Sequence, residues 1–205
     1  GAPLLNAAEK EAASAALATV QFSIPATDEG IPGVGPIRRH EGSQRLWRER
    51  RSAWAKQIEQ DRHAVVFLGD SIMQRWGAGL EAAFPGMKVA NRGIDGDTTR
   101  GVLVRLQQDV LALEPKAVVV LIGTSDLEDG VTPEMAATNL RLILAALEQR
   151  SPTMPIVVCQ VLPRSDPMAK SADHIKAINA AFLEVVRNRP TITYLETWAQ
   201  FADAN

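Results

Sequence analysis

Between residues 64 and 195, short apolar runs alternate with longer stretches in which apolar residues return at helical spacing. The runs are Ala64–Leu68, Lys88–Ala90, Ala117–Ile122, Ile156–Leu162 and Ile192–Leu195. Most are continuous rather than alternating, the pattern of parallel strands covered on both faces. The intervening stretches predict helices. One opens at Ser71. A second spans Thr98–Leu113, with Val102, Leu103, Leu106, Val110 and Leu111 on one side. A third spans Thr132–Arg150 and begins Thr-Pro-Glu, a cap followed by proline at the first helical position. A fourth runs from about Ser171 to Arg187, with Ile175, Ile178, Phe182 and Val185 facing inward. Five β units joined by helices predict an α/β fold with a doubly wound, five-stranded parallel sheet. Right-handed crossovers make the flavodoxin-like order 2-1-3-4-5 the leading topology.

The first 62 residues follow a different pattern. Asn6–Val20 reads as a helix, with Asn6 and Glu9 forming an N-x-x-E cap. Gln21–Glu41 carries Pro25, Gly30, Pro32, Gly33, Gly35 and Pro36, which break both periods and predict a linker or an arm lying over a surface. Gly42–Gln60 is again helical, with Leu46, Trp47, Arg50, Trp54 and Ile58 on one face. Trp47 and Trp54 read as core packing ahead of a carbohydrate-stacking platform. The chain therefore divides into residues 1–62, which pack on a core, and residues 63–205, which form it.

Composition narrows the classes of function. Of 205 residues, 46% are hydrophobic and 22% charged, as in an ordinary globular domain and unlike a disordered or fibrous chain. A net charge of -2 gives no electrostatic footprint for nucleic acid or an anionic membrane. No apolar run approaches the ~18–20 residues of a membrane span, and no signal peptide is visible at the start. The single cysteine, Cys159, excludes an internal disulfide, reads as a buried filler, and leaves the compartment open.

Ligands of such sheets bind beyond the carboxyl ends of the strands. Three of those ends are polar and glycine-rich: Gly69-Asp70-Ser71, the segment Asn91–Thr99, and Gly123-Thr124-Ser125-Asp126. Ser71 falls between a strand and a helix, where its hydroxyl sits at the mouth of the sheet and its N–H at a helix start, both suited to a developing oxyanion. It is not the elbow serine of a G-x-S-x-G motif, because Met73 stands at the second glycine position. Gly93 can present its N–H without a side chain in the way. Asp126, Glu128 and Asp129 form an acidic cluster that reads as loop and cap chemistry rather than a metal site, since no histidine accompanies it. Gly77–Ala82 fits G-x-G-x-x-A but follows a helix, which argues against a dinucleotide site. Arg38-Arg39-His40 and Arg48–Arg51 read as solvated faces.

Taken together, the three loops resemble the SGNH (GDSL-type) hydrolases over about residues 64–197. Gly69-Asp70-Ser71 matches the first block of that family, Gly93 the second, and Gly123-Thr124-x-Asp126 the third. Gly93–Arg100 is similar to the branch that holds the platelet-activating-factor acetylhydrolase catalytic subunits and bacterial carbohydrate esterases. The resemblance implies ester hydrolysis with Ser71 as nucleophile and the N–H groups of Ser71 and Gly93 as oxyanion donors. The third donor would be a block-three side chain, where Ser125 replaces the usual asparagine. The implied substrate is a small acyl ester, acetyl above all and including acetyl on carbohydrates, with no cofactor and no metal. The family's final Asp-x-x-His block, expected after the fifth strand, is not reached by residue 205. The expectation is thus a core without its last helix, whose open face takes the Asn6–Val20 helix or a second copy of the chain, a homodimer. Of His40, His63 and His174, the last, next to Asp173, is the remaining candidate base. The alternative reading is a degenerate member that binds a ligand or partner without turnover.

Overall fold

In the computed structural model, which describes Asn6 and residues 22–163 and 171–202, the five runs form the strands of one sheet. They are β1 (Val65–Gly69), β2 (Val89–Gly93), β3 (Ala117–Leu121), β4 (Ile156–Cys159) and β5 (Ile192–Leu195). All neighbours are parallel, in the order β2-β1-β3-β4-β5. The doubly wound topology expected from the sequence is therefore the one the chain adopts.

The helices are α1 (Glu41–Ala55), α2 (Ile58–Asp61), α3 (Ser71–Trp76), α4 (Gly79–Ala83), α5 (Thr99–Asp109), α6 (Thr124–Glu128), α7 (Pro133–Arg150), α8 (Ser171–Val186) and α9 (Trp198–Phe201). Their starts follow local chemistry. Thr98 accepts the Gly101 N–H and Thr132 the Met135 N–H, each satisfying a donor left open by the first helical turn. The single helix expected over 42–60 is divided. The Lys56 and Gln57 N–H groups bond to Ala53 and Trp54, a tighter turn that ends α1 before α2 begins. The Asn6–Val20 helix lies outside the described residues except for Asn6.

Side-chain alternation splits each strand between two faces. Val66, Leu68, Ala90, Val118, Val120, Ile156 and Val158 pack against α5, α7 and α8 in the main core, with Leu106, Leu140, Ile143, Ile178 and Phe182 fully buried there. Phe67, Leu121 and Cys159 point to the other face and meet Met73 and Leu80 of α3 and α4. Cys159 is a buried filler, as expected, and burial pushes its thiol up to about 11.

Two expectations need correction. The segment from Asn91 is not a loop at its start, because β2 continues through Gly93. Its polar residues are tolerated because they are paired: Asn91 Nδ2 donates to the Met73 carbonyl at 2.6 Å, and Arg92 meets Asp61 at 2.7 Å. The basic run of α1 is not wholly a solvated face either. Arg51 is buried and holds Asp109 through Nε at 2.9 Å. Arg50, Arg92 and Arg105 stack on Trp54, which together with Trp47 is core, as read from the spacing.

The segment before α1 is an arm held across the top of the core. Asn139 of α7 takes the Val34 N–H at 2.8 Å and donates to the Val34 carbonyl at 2.9 Å. Gly33 (φ 84°) fits only as glycine, since a Cβ there would stand 2.6 Å from Asn139 Oδ1. Arg100 of α5 donates to the Gly35 and Pro32 carbonyls, and Thr98 to the Pro36 carbonyl.

Candidate active site

The three predicted loops leave adjacent strands at one level. Gly69 at the end of β1 pairs in register with Gly93 of β2 and with Leu121 of β3. The chain beyond each therefore opens on the same edge, with Ser71 at the end of the middle strand.

Ser71 is the first residue of α3 and is half-buried. Asp70 before it is the cap, fully buried, with Oδ1 accepting the Ile72 N–H at 3.0 Å. Gly69 is required by close packing: a Cβ would fall 2.1 Å from the Leu121 carbonyl oxygen. The nucleophile candidate is thus placed by backbone contact between two strands and by a cap, not by a side-chain partner of its own.

Gly93 sits differently from its expected role. Its N–H donates to Asn91 Oδ1 at 2.9 Å, and a Cβ would meet the Gln74 backbone nitrogen at 2.3 Å. The glycine lets β2 press against α3, and its donor is already used. The next glycine, Gly96, lies in a turn closed by Asp97 N–H to the Ile94 carbonyl at 3.1 Å, with φ of 77°. That turn is tied to α3 through the Asp95 N–H, which donates to Gln74 Oε1 at 2.7 Å. Among the described residues nothing accepts the Gly96 N–H.

Ser125 lies in α6 beyond β3 and is buried, its carbonyl accepting from Arg38 Nη2 at 3.3 Å. Asp126 beside it is fully buried and accepts both the N–H and the hydroxyl of Thr99, at 2.9 and 2.6 Å. Asn139 donates to the same hydroxyl, so the arm, α5, α6 and α7 share one network. Glu128 and Asp129 both pair with Arg38. The acidic cluster is therefore structural, and no group of metal-ligating side chains occurs among the described residues.

Three buried carboxylates lie beneath the crevice. Burial pushes Asp70 and Asp97 up to about 6 and Asp126 to about 7, and repulsion among neighbouring carboxylates adds to it. Asp97 is held by Arg105 Nε at 2.7 Å, whereas Asp126 has only neutral donors. Thr124 approaches the second oxygen of Asp70 without a well-formed hydrogen bond. Asp70 and Asp97 carried no separate signal in the sequence, although each adjoins a motif glycine or serine.

The histidines are engaged elsewhere. His40 caps α1 through Ser43, His63 contacts the Glu114 carbonyl at 3.1 Å at the far end of the sheet, and His174 Nε2 meets the Val131 carbonyl at 3.1 Å. None bonds to Ser71 among the described residues. Residues 164–170, in the connection between β4 and α8, lie outside them.

A parallel sheet in this order, with a G-D-S serine at the end of its second strand in space, defines a doubly wound α/β architecture with a polar crevice at the carboxyl edge. The sequence model of the GDSL-like lipase/acylhydrolase family matches residues 67–205, and the chain belongs to that family. It is 38% identical over 106 residues to the platelet-activating factor acetylhydrolase IB subunit alpha2 of Homo sapiens, covering 50% of this chain and 45% of that one. The chain thus spans about half the length of the curated relatives it matches. A Streptococcus pneumonia protein named for platelet activating factor superposes with a TM-score of 0.66 at 22% identity, over 78% of this chain and 79% of the other. A catalytic mutant of an acetylxylan esterase from Geobacillus stearothermophilus gives 0.56 at 19% identity, over 67% and 77%. At these identities the two structures bear on the fold.

Proposed function

We propose that this chain forms the core of a serine esterase for small acyl esters, acetyl above all, including acetyl groups on carbohydrates. The observation that supports the reading is the common register of β2, β1 and β3, from which the segments carrying Gly96, Ser71 and Ser125 leave the sheet at the same edge. Ser71 Oγ gives its proton to a general base and attacks the acyl carbonyl carbon; the C=O π pair moves onto the oxygen, which the Ser71 N–H receives, and its return expels the alcohol, which takes up the proton, leaving an acyl-serine that water hydrolyses. Gly96 replaces Gly93 as the second donor, because the Gly93 N–H is spent on Asn91. Ser125 is the candidate third donor, with a hydroxyl that reaches less far than an amide. No cofactor or metal enters the proposal.

Replacing Ser71 by alanine tests it. Turnover of p-nitrophenyl acetate should fall by about 10⁴–10⁶ with folding unchanged, as for loss of a nucleophile that works with its base. Wild-type turnover in Ser71→Ala rejects the assignment. Ser125→Asn should raise kcat, since one well-placed oxyanion donor is worth about 2.7–4 kcal/mol.

A second reading, a binding domain without turnover, is favoured by one observation: no described histidine reaches Ser71. A serine without a base stays protonated and is a weak nucleophile. The two readings separate when these 205 residues are compared with a chain extended through an Asp-x-x-His after β5. The esterase reading expects the extended chain to be faster. Equal kcat/KM in both, at a measurable rate, would move His174 to the base.

A further inference from the structure

We propose that Arg38 is a positioning residue of the crevice, clasping the Gly96 turn to the Ser125–Asp129 segment and so setting the opening beside Ser71. Its consequence for catalysis rests on the esterase reading above; the clasp itself does not.

The backbone of Arg38 is fixed from both sides. Upstream, Val34, Gly35 and Pro36 are bonded to Asn139, Arg100 and Thr98. Downstream, His40 caps α1. The guanidinium is then used on nearly every edge. Nε donates to both oxygens of Asp129 at 3.0 and 2.8 Å, and Nη2 to Glu128 at 2.7 Å and to the Ser125 carbonyl at 3.3 Å. The remaining nitrogen, Nη1, lies against Gly96, 3.0 Å from where a Cβ would stand. The guanidinium is therefore bonded to the segment after β3 and packs, without a hydrogen bond, against the Gly96 turn after β2.

The charge balance says what Arg38 does not do. Its guanidinium is committed to Glu128 and Asp129 rather than offered to an anionic substrate. A lysine could neutralise the carboxylates as well but lacks the fork that reaches both loops. An ordinary surface ion pair would contribute little, whereas a displacement of the flanking donors by ~1 Å can cost about 100-fold in rate.

The test uses Arg38→Met, Arg38→Lys and Arg38→Ala in the full chain, with Arg39→Met, whose guanidinium bonds to Pro25, Thr27 and Asp28 within the arm, as control. Hydrogen exchange should accelerate in peptides covering 94–97 and 124–129 in Arg38→Met and not in the control. For p-nitrophenyl acetate, kcat should fall by about 10–100-fold with KM little changed, and Arg38→Lys should recover only part of it. Added guanidinium ion should restore rate to Arg38→Ala, which a merely structural loss would not allow. Unchanged exchange at both loops overturns the clasp. Faster exchange with unchanged kcat overturns its role in positioning. If the wild type neither hydrolyses the ester nor is labelled at Ser71 by a fluorophosphonate, the esterase reading fails, and the exchange result still decides the clasp.

Discussion

The two faces of the sheet are built from the same strands yet differ in depth. On one, α5, α7 and α8 contribute 11, 18 and 16 residues of helix, and the residues of β1 to β4 beneath them are at most 3% exposed. On the other, among the described residues, α3 and α4 supply 6 and 5. There Val65, Val89, Val119 and Val157 remain only partly buried, and Leu195 is 46% exposed. The deep face holds the fold. The shallow face carries α3, whose first residue is Ser71. Stability and the proposed chemistry thus fall on opposite sides, and a substitution should disturb one more than the other.

The largest effect is expected on the deep face. Leu140→Ala leaves a cavity among fully buried side chains and should cost about 2–5 kcal/mol by urea unfolding. The second effect depends on pH. The folded chain holds a proton on Asp126 up to about pH 7, while the unfolded carboxyl releases it near 3.8. Between these values the native state binds more protons, so stability falls as pH rises through the window. Moving from about pH 7.5 to about pH 5, which protonates buried Asp126, should raise the melting temperature, and Asp126→Asn should flatten that slope. A slope of the opposite sign would mean that Asp126 is ionised in the fold. The smallest effect is expected on the shallow face: Val157→Ala should cost about 1 kcal/mol or less. A cost equal to that of Leu140→Ala would erase the distinction between the faces.

Much of this was legible beforehand for a simple reason. Strand and helix periods are local, so the five β units, the Thr98 and Thr132 caps and the serine at a strand-to-helix junction could be read from neighbours in the chain. The errors fall where a residue's partner is distant. Arg38 read as a solvated cation because Glu128 and Asp129 are 90 and 91 positions away. Arg51 read the same way, and its carboxylate is 58 positions on.

The amino-acid sequence by itself determined the element order, the parallel sheet and the place of Ser71, because periodicity, capping and glycine loops act over a few residues. Only the tertiary structure decided which glycine keeps an N–H without an acceptor among the described residues. Gly93 and Gly96 are equally able to present one, and the choice came from Asn91 folding back on the first and a closed turn exposing the second. It also decided that the two faces differ, since a continuous apolar strand carries no mark of how long the helix above it will be. Burial and pairing are properties of residues brought together across the chain, and those distances are set only when the sheet closes around its core.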